Sequence, residues 1–198
     1  AMCTHTPNPL VNSLHRSFEC TSIRSNYVYI STSPVLSLTQ CTSIINATEH
    51  HCSTNGWTTT RHYDVPTTDV PVYEVKEVLD LFNDTIYQTL ESFVSTCFGV
   101  SSLFIHDAFV VKYDARVSPS SSSKAAAVSL PWHFDESTFS FTLALNDEFK
   151  GGGTEFSIGG VVSPEVGGIV GFRGDKCWHC GKKIDEGVRY VLVVFCFG

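Results

Sequence analysis

The sequence predicts a mainly β protein, a β-sandwich or jelly roll with helices supporting one side. Three observations lead there. The chain has 198 residues, the size of one domain. Its 42% hydrophobic and 17% charged residues suit a packed core rather than a disordered or coiled-coil chain. After Gly99, helical spacing gives way to short β-rich runs punctuated by Gly and Pro, the pattern of sheet folds. One domain is expected over 1–198, with helical support and N-terminal strands in 1–100 and the β core in 101–198. No internal repeat or linker divides it.

Each element has its own justification. Tyr27 to Ile30 reads as a strand. Ser37 then stands as an N-cap, and Leu38, Cys41, Ile44, Ile45 and Thr48 repeat at helical spacing. His50 to Thr68 is polar and Thr-rich with no clear period, a loop with short strands. Asp69-Val70-Pro71 resembles a second helix start, because Pro suits the first turn. From Val75 to Cys97 an apolar stripe runs on to Gly99. Leu103–Tyr113, Thr138–Leu145, Gly168–Phe172 and Val188–Phe197 carry the β-pattern. Val117–Ser129 is rich in Ser and Ala with no β-pattern, and is read as a mobile loop or substrate lid.

Thirteen basic residues against twenty acidic ones give a net charge of −7. Such a surface does not suit phosphate backbones, so no nucleic-acid partner is expected. No run approaches the ~18–20 apolar residues of a membrane span. Eight cysteines and two sequons, at Asn46 and Asn83, would suit a secreted protein. Yet a chain of this length needs no disulfide staple, and Cys41, Cys97 and Cys196 sit in apolar stretches where a free thiol packs as a small hydrophobe. The first residues do not read as a signal peptide. The expectation leans intracellular, with a secretory chain whose leader was removed as the alternative; oligomeric state is left open.

Chemistry concentrates in two places. In His133-Phe134-Asp135, residues two apart share a face if the segment is extended, so imidazole and carboxylate converge. By composition alone about 0.4 chance His-x-Asp pairs are expected, and His62-Tyr63-Asp64 is such a pair, read as surface loop. The second place is His179, with Arg189 ten residues on. Two His and one carboxylate make the facial triad of non-heme iron(II) oxygenases, whose open positions accept a bidentate 2-oxo acid and then dioxygen. The distal carboxylate of such an acid suits the planar fork of Arg189. The competing reading of Arg189 is an internal salt bridge. A zinc site from Cys177, Cys180 and Cys196 is disfavoured, because Cys177 and Cys180 fall on opposite strand faces.

The runs His133-Phe-Asp-Glu-Ser-Thr-Phe-Ser-Phe-Thr-Leu-Ala-Leu-Asn146, Phe149-Lys-Gly-Gly-Gly-Thr-Glu-Phe156, Pro164-Glu-Val-Gly-Gly168, His179-Cys-Gly and Gly187-Val-Arg-Tyr190 resemble the catalytic domain of the prolyl and lysyl hydroxylases. These are iron(II)- and 2-oxoglutarate-dependent dioxygenases on a double-stranded β-helix. The resemblance is strongest over Tyr113 to Phe197. It implies iron held by His133, Asp135 and His179, and 2-oxoglutarate as cosubstrate gripped by Arg189, with Tyr113 and Thr142 contacting it. No catalytic residue beyond the metal ligands is implied; ascorbate joins as an optional reductant. The implied substrate is a protein or peptide side chain, prolyl first and lysyl second. A hydroxylase of a free small molecule and a catalytically silent jelly-roll binding module are the alternatives.

Overall fold

The computed structural model describes residues 20–22, 27–62, 64–116 and 127–198. Most of the Val117–Ser129 segment, and so its reading as a loop or lid, lies outside them. The chain opens with β1 (Cys20–Ser22) and β2 (Val28–Ser31), then α1 (Leu38–Asn55). Ser37 does cap α1: its Oγ accepts from the Gln40 amide at 3.2 Å, while Gln40 Oε1 accepts from the Ser37 amide at 2.9 Å, a reciprocal capping box. The helix runs past His50, where a loop was expected. Cys52 extends the buried row of Cys41, Ile44 and Thr48 by one more turn, and Gly56 closes the helix at φ 80°.

The expected helix start at Asp69 is instead β3 (Asp69–Pro71), paired with β4 (Phe104–Asp114). The Asp69 carboxylate is consumed by tertiary partners, Arg61 Nη1 at 2.5 Å and the Thr67 hydroxyl, so it caps nothing. Pro71 is tolerated because β3 lies at the sheet edge. A 3-10 turn (Val72–Glu74) leads into α2 (Lys76–Leu81), a π turn (Phe82–Ile86) and α3 (Tyr87–Phe98). The π turn keeps Phe82 and Ile86 both buried. Gly99, at φ 69°, ends α3 in the left-handed region.

The remaining strands are β5 (Phe139–Ala144), β6 (Phe149–Gly151), β7 (Thr154–Phe156), β8 (Gly160–Val162), β9 (Ile169–Arg173), β10 (His179–Gly181) and β11 (Ile184–Phe197). The large sheet runs β1-β2-β9-β5-β11-β4-β3, with β6 also on β11; the small one runs β10-β7-β8. All pairings are antiparallel. This is the expected helix-supported jelly roll.

Alternation along β11 divides the interior. Tyr190, Leu192 and Val194 join Phe141, Leu143 and the helix residues Ile44, Leu90 and Phe93 in the main core. Phe93 meets Phe141 edge to face at 5.4 Å, over Gly171, where a Cβ would come within 2.5 Å of the Phe93 ring. Arg189, Val191, Val193 and Phe195 face the opposite way, into a cavity between the sheets. Cys97 is not a free thiol as expected: it pairs with Cys20, tying β1 to α3. Among the described residues Cys41, Cys52, Cys177, Cys180 and Cys196 are free and buried.

Candidate metal centre and its cavity

His133 precedes β5 in an isolated antiparallel bridge to His179, not in a strand of its own. The His133 amide donates to the His179 carbonyl at 2.8 Å and the His179 amide returns the bond at 3.1 Å. This exchange sets the imidazoles side by side, ring centroids 4.4 Å apart. The Asp135 amide is fixed to the Gly174 carbonyl at 3.2 Å. Two residues from His133, Asp135 brings Oδ1 to 3.3 Å from His133 Nε2 and Oδ2 to 3.7 Å from His179 Nε2. One ligand atom from each of the three lies within 4.8 Å of the others, and among the described residues no other such group of metal-ligating side chains forms.

Both histidines donate Nδ1 to backbone carbonyls, His133 to Pro131 at 2.7 Å and His179 to Cys177 at 2.9 Å. Those bonds fix the tautomer and aim the Nε2 lone pairs at the shared point, as metal-bound histidines require. Phe172 packs against the His179 ring at 4.7 Å. Burial would lower His133, but Asp135 and the Pro131 carbonyl outweigh it and raise the imidazole above its ordinary value. His179, more deeply buried, is lowered. Burial would raise Asp135; His133, His179 and the Ser140 hydroxyl prevail and hold it below the ordinary carboxylate range. An ionised carboxylate between two imidazoles is a donor set fitted to a divalent ion.

The cavity holds about 520 Å³ and is lined by His133, Asp135, His179, Arg189, Tyr113 and Thr142 among others. Arg189 pairs across the sheet with Tyr113, and Val193 with Thr142, which places all four on the inner face. Arg189 is 6% exposed, and its guanidinium lies 5.2 Å from the Tyr113 ring and 6.0 Å from that of Phe149. No hydrogen bond or ion pair reaches it from the described residues, and among them the internal salt bridge is not formed. Burial pulls the guanidinium below its ordinary value and pushes the Tyr113 phenol up. A Cβ on Gly152, at φ 73°, would reach 3.3 Å from Arg189 Cδ and 3.0 Å from Phe149; this turn fits only glycine over the arginine stem.

His62 and Asp64, read as surface loop, line the same cavity. Arg61 bridges Asp69 and Asp107 at 2.5 and 2.6 Å, which ties this segment to the sheet, and the His62 ring lies 4.7 Å from Phe109. The sequence signal was an arginine beside the His-x-Asp pair; its partner Asp107 lies 46 residues away, beyond any local pattern. Trp132 and Trp178 are half exposed outside the cavity, and Phe134, which lines it, stacks on Trp178 at 4.9 Å.

No family model matches the sequence, and no curated protein matches it. Solved structures do. The viral collagen prolyl hydroxylase vCPH from Paramecium Bursaria Chlorella virus-1, in its 2OG complex, is 16% identical with a TM-score of 0.56, over 86% of this chain and 95% of that one. The fold is that of the 2OG-Fe(II) oxygenases. Two further solved structures share this fold. A Pseudomonas putida prolyl-4-hydroxylase is 12% identical with a TM-score of 0.60, over 85% of this chain and 91% of that one. The non-heme alpha ketoglutarate dependent carbocyclase SnoK from nogalamycin biosynthesis is 14% identical with a TM-score of 0.64, over 85% and 79%.

Proposed function

We propose that the chain is an iron(II)- and 2-oxoglutarate-dependent dioxygenase that hydroxylates a protein or peptide side chain. One observation carries the reading: a buried guanidinium, with no anionic partner among the described residues, shares a cavity with a His-Asp-His cluster. A buried cation left unpaired is costly, and a carboxylate-bearing cosubstrate would neutralise it.

His133 Nε2, Asp135 and His179 Nε2 would hold the iron. Once bound, iron supplies the oxygen chemistry that couples oxidative decarboxylation of 2-oxoglutarate to substrate hydroxylation. The chain's own residues position and shield. Arg189 receives the distal carboxylate through its planar fork, with Tyr113 opposite it on β4, while Thr142 lies further along the same inner face, opposite Val193. The Nδ1–H bonds to Pro131 and Cys177 fix the tautomer and the orientation of both imidazoles. Phe109, Val111, Val191 and Val193 form an apolar wall of the cavity.

Prolyl is the first target proposed and lysyl the second. The support is the strip of Trp132, Phe134 and Trp178 beside the metal ligands, 40%, 51% and 41% exposed, which suits an extended peptide. The prolyl hydroxylases among the similar structures agree with it. The carbocyclase favours a second reading, a free small molecule, and a cavity of about 520 Å³ falls within the range of small-molecule sites. The test is substrate-free turnover: protein, iron(II) and 2-oxoglutarate in air, with succinate followed over time, against His179→Ala. Succinate from the parent alone is expected. None from the parent, with no binding of 2-oxoglutarate, leaves the silent binding module.

A further inference from the structure

The two oxygens of Asp135 are not equivalent. Both face the ligand cluster, Oδ1 at 3.3 Å from His133 Nε2 and Oδ2 at 3.7 Å from His179 Nε2, but Oδ2 alone also accepts a hydrogen bond from Ser140 Oγ, at 2.5 Å. Ser140 lies on the inner face of β5 and is buried, and its hydroxyl is backed by Ser137 Oγ at 2.8 Å. Gly174 closes the other side: a Cβ there would come within 2.5 Å of Ser140 Oγ and 2.7 Å of Ser137 Oγ. The same glycine holds the Asp135 amide. The serine pair and the aspartate backbone are thus locked to one point of the main chain.

A carboxylate can ligate a metal through one oxygen or through both. On a six-coordinate ion held by three side chains, the first mode leaves three positions open and the second leaves two. A bidentate 2-oxo acid occupies two, so dioxygen needs the third. We propose that Ser140, backed by Ser137, keeps Asp135 a one-oxygen ligand through Oδ1 and so preserves that third position. The inference rests on the iron and 2-oxoglutarate reading above. A charge-assisted O–H···O⁻ bond is among the stronger hydrogen bonds, and the Ser140 hydroxyl, by donating to Oδ2, competes with a second Asp135 bond to the metal. Ser140 is a positioning residue, acting through Asp135.

The test uses manganese(II) as the probe on the full chain, with water-proton relaxation counting exchangeable positions on the bound ion. Ser140→Ala should bind manganese at least as tightly as the parent, yet relaxation per bound ion should fall by about one third, as three positions become two. With 2-oxoglutarate saturating, the parent should retain one exchangeable water and the variant none. Ser140→Cys fills the same space with a weak donor and should show the same loss; it decides the matter if the alanine variant does not fold. A merely structural serine would weaken manganese binding and leave relaxation per bound ion unchanged. That result, or parent-like relaxation in either folded variant, overturns the proposal. A parent that binds neither manganese nor 2-oxoglutarate overturns the functional reading instead.

Discussion

Replacing Arg189 with methionine should do two opposite things. Methionine keeps much of the stem's volume between Tyr113 and Phe149 but removes the charge. In the ligand-free protein that charge is buried and meets no anion among the described residues, an arrangement that costs several kcal/mol per ion at full burial. The guanidinium lines the cavity, so only part of that applies, about 1–2 kcal/mol. Ligand-free Arg189→Met should therefore melt higher than the parent, by about 2–8 °C for a chain of this size. Binding should move the other way. Stranding the distal carboxylate of 2-oxoglutarate should cost ~2–5 kcal/mol, a rise in Kd of about 30- to 4,000-fold. Thermal unfolding with and without metal and 2-oxoglutarate reads both effects at once, because a ligand stabilises only in proportion to its affinity. Arg189→Lys should fall between, keeping the charge and losing the fork. A ligand-free Arg189→Met that melts well below the parent would mean that the arginine serves the fold. An unchanged response to 2-oxoglutarate would remove it from the site.

Three other outcomes are expected. Gly171→Ala forces a methyl into the Phe93–Phe141 contact and should cost ~1–3 kcal/mol in urea unfolding; no change would mean that α3 sits loosely on the sheet. Glu49 is held below the ordinary carboxyl value because the hydrogen bonds from Lys112 and Tyr190 outweigh burial. Its folded value lies below the unfolded one, so its contribution is present above pH 4.5 and is lost as pH falls through the folded value. The stability gap between the parent and Glu49→Gln should narrow on acidification, and a gap independent of pH would contradict this. Burial raises Cys52 and Cys196 to about 12 and Cys41 and Cys177 to about 11. Iodoacetamide at neutral pH should leave these four unlabelled until denaturant is added, as read by peptide mass spectrometry.

Much of the architecture was legible because local pattern and tertiary environment agree. Strand β11 reads as buried on both faces, and it has a helix core on one side and a cavity on the other. Ser37 announces the start of α1, and the structure adds Gln40 as its reciprocal partner. The failures came where a residue's partner is remote. Asp69 looks like a helix start until Arg61 and Thr67 claim its carboxylate. Cys97 looks like one more apolar position on α3 until Cys20, 77 residues earlier, meets it. His62 and Asp64 carry no periodic signal at all. What brings them to the cavity is the ion pair between Arg61 and Asp107, invisible to any local window. His133 and Asp135 pair by their two-residue spacing, whereas His179 and Arg189 join them only through the family resemblance; all four line one cavity.

The position of β11 in the chain has a consequence for biogenesis. Residues 184–197 pair with β4 and β5 on either side and with β6, yet they follow every one of them. During synthesis, the facing edges of β4 and β5 stay without their shared neighbour until β11 has left the ribosome. Open apolar strand edges invite pairing with other chains, and sheets built from distant segments form slowly. The nascent protein thus passes through a stage in which its helices and β9 are ready while the middle of the sheet is missing. Closure of the sheet and arrival of Arg189 in the cavity become one event.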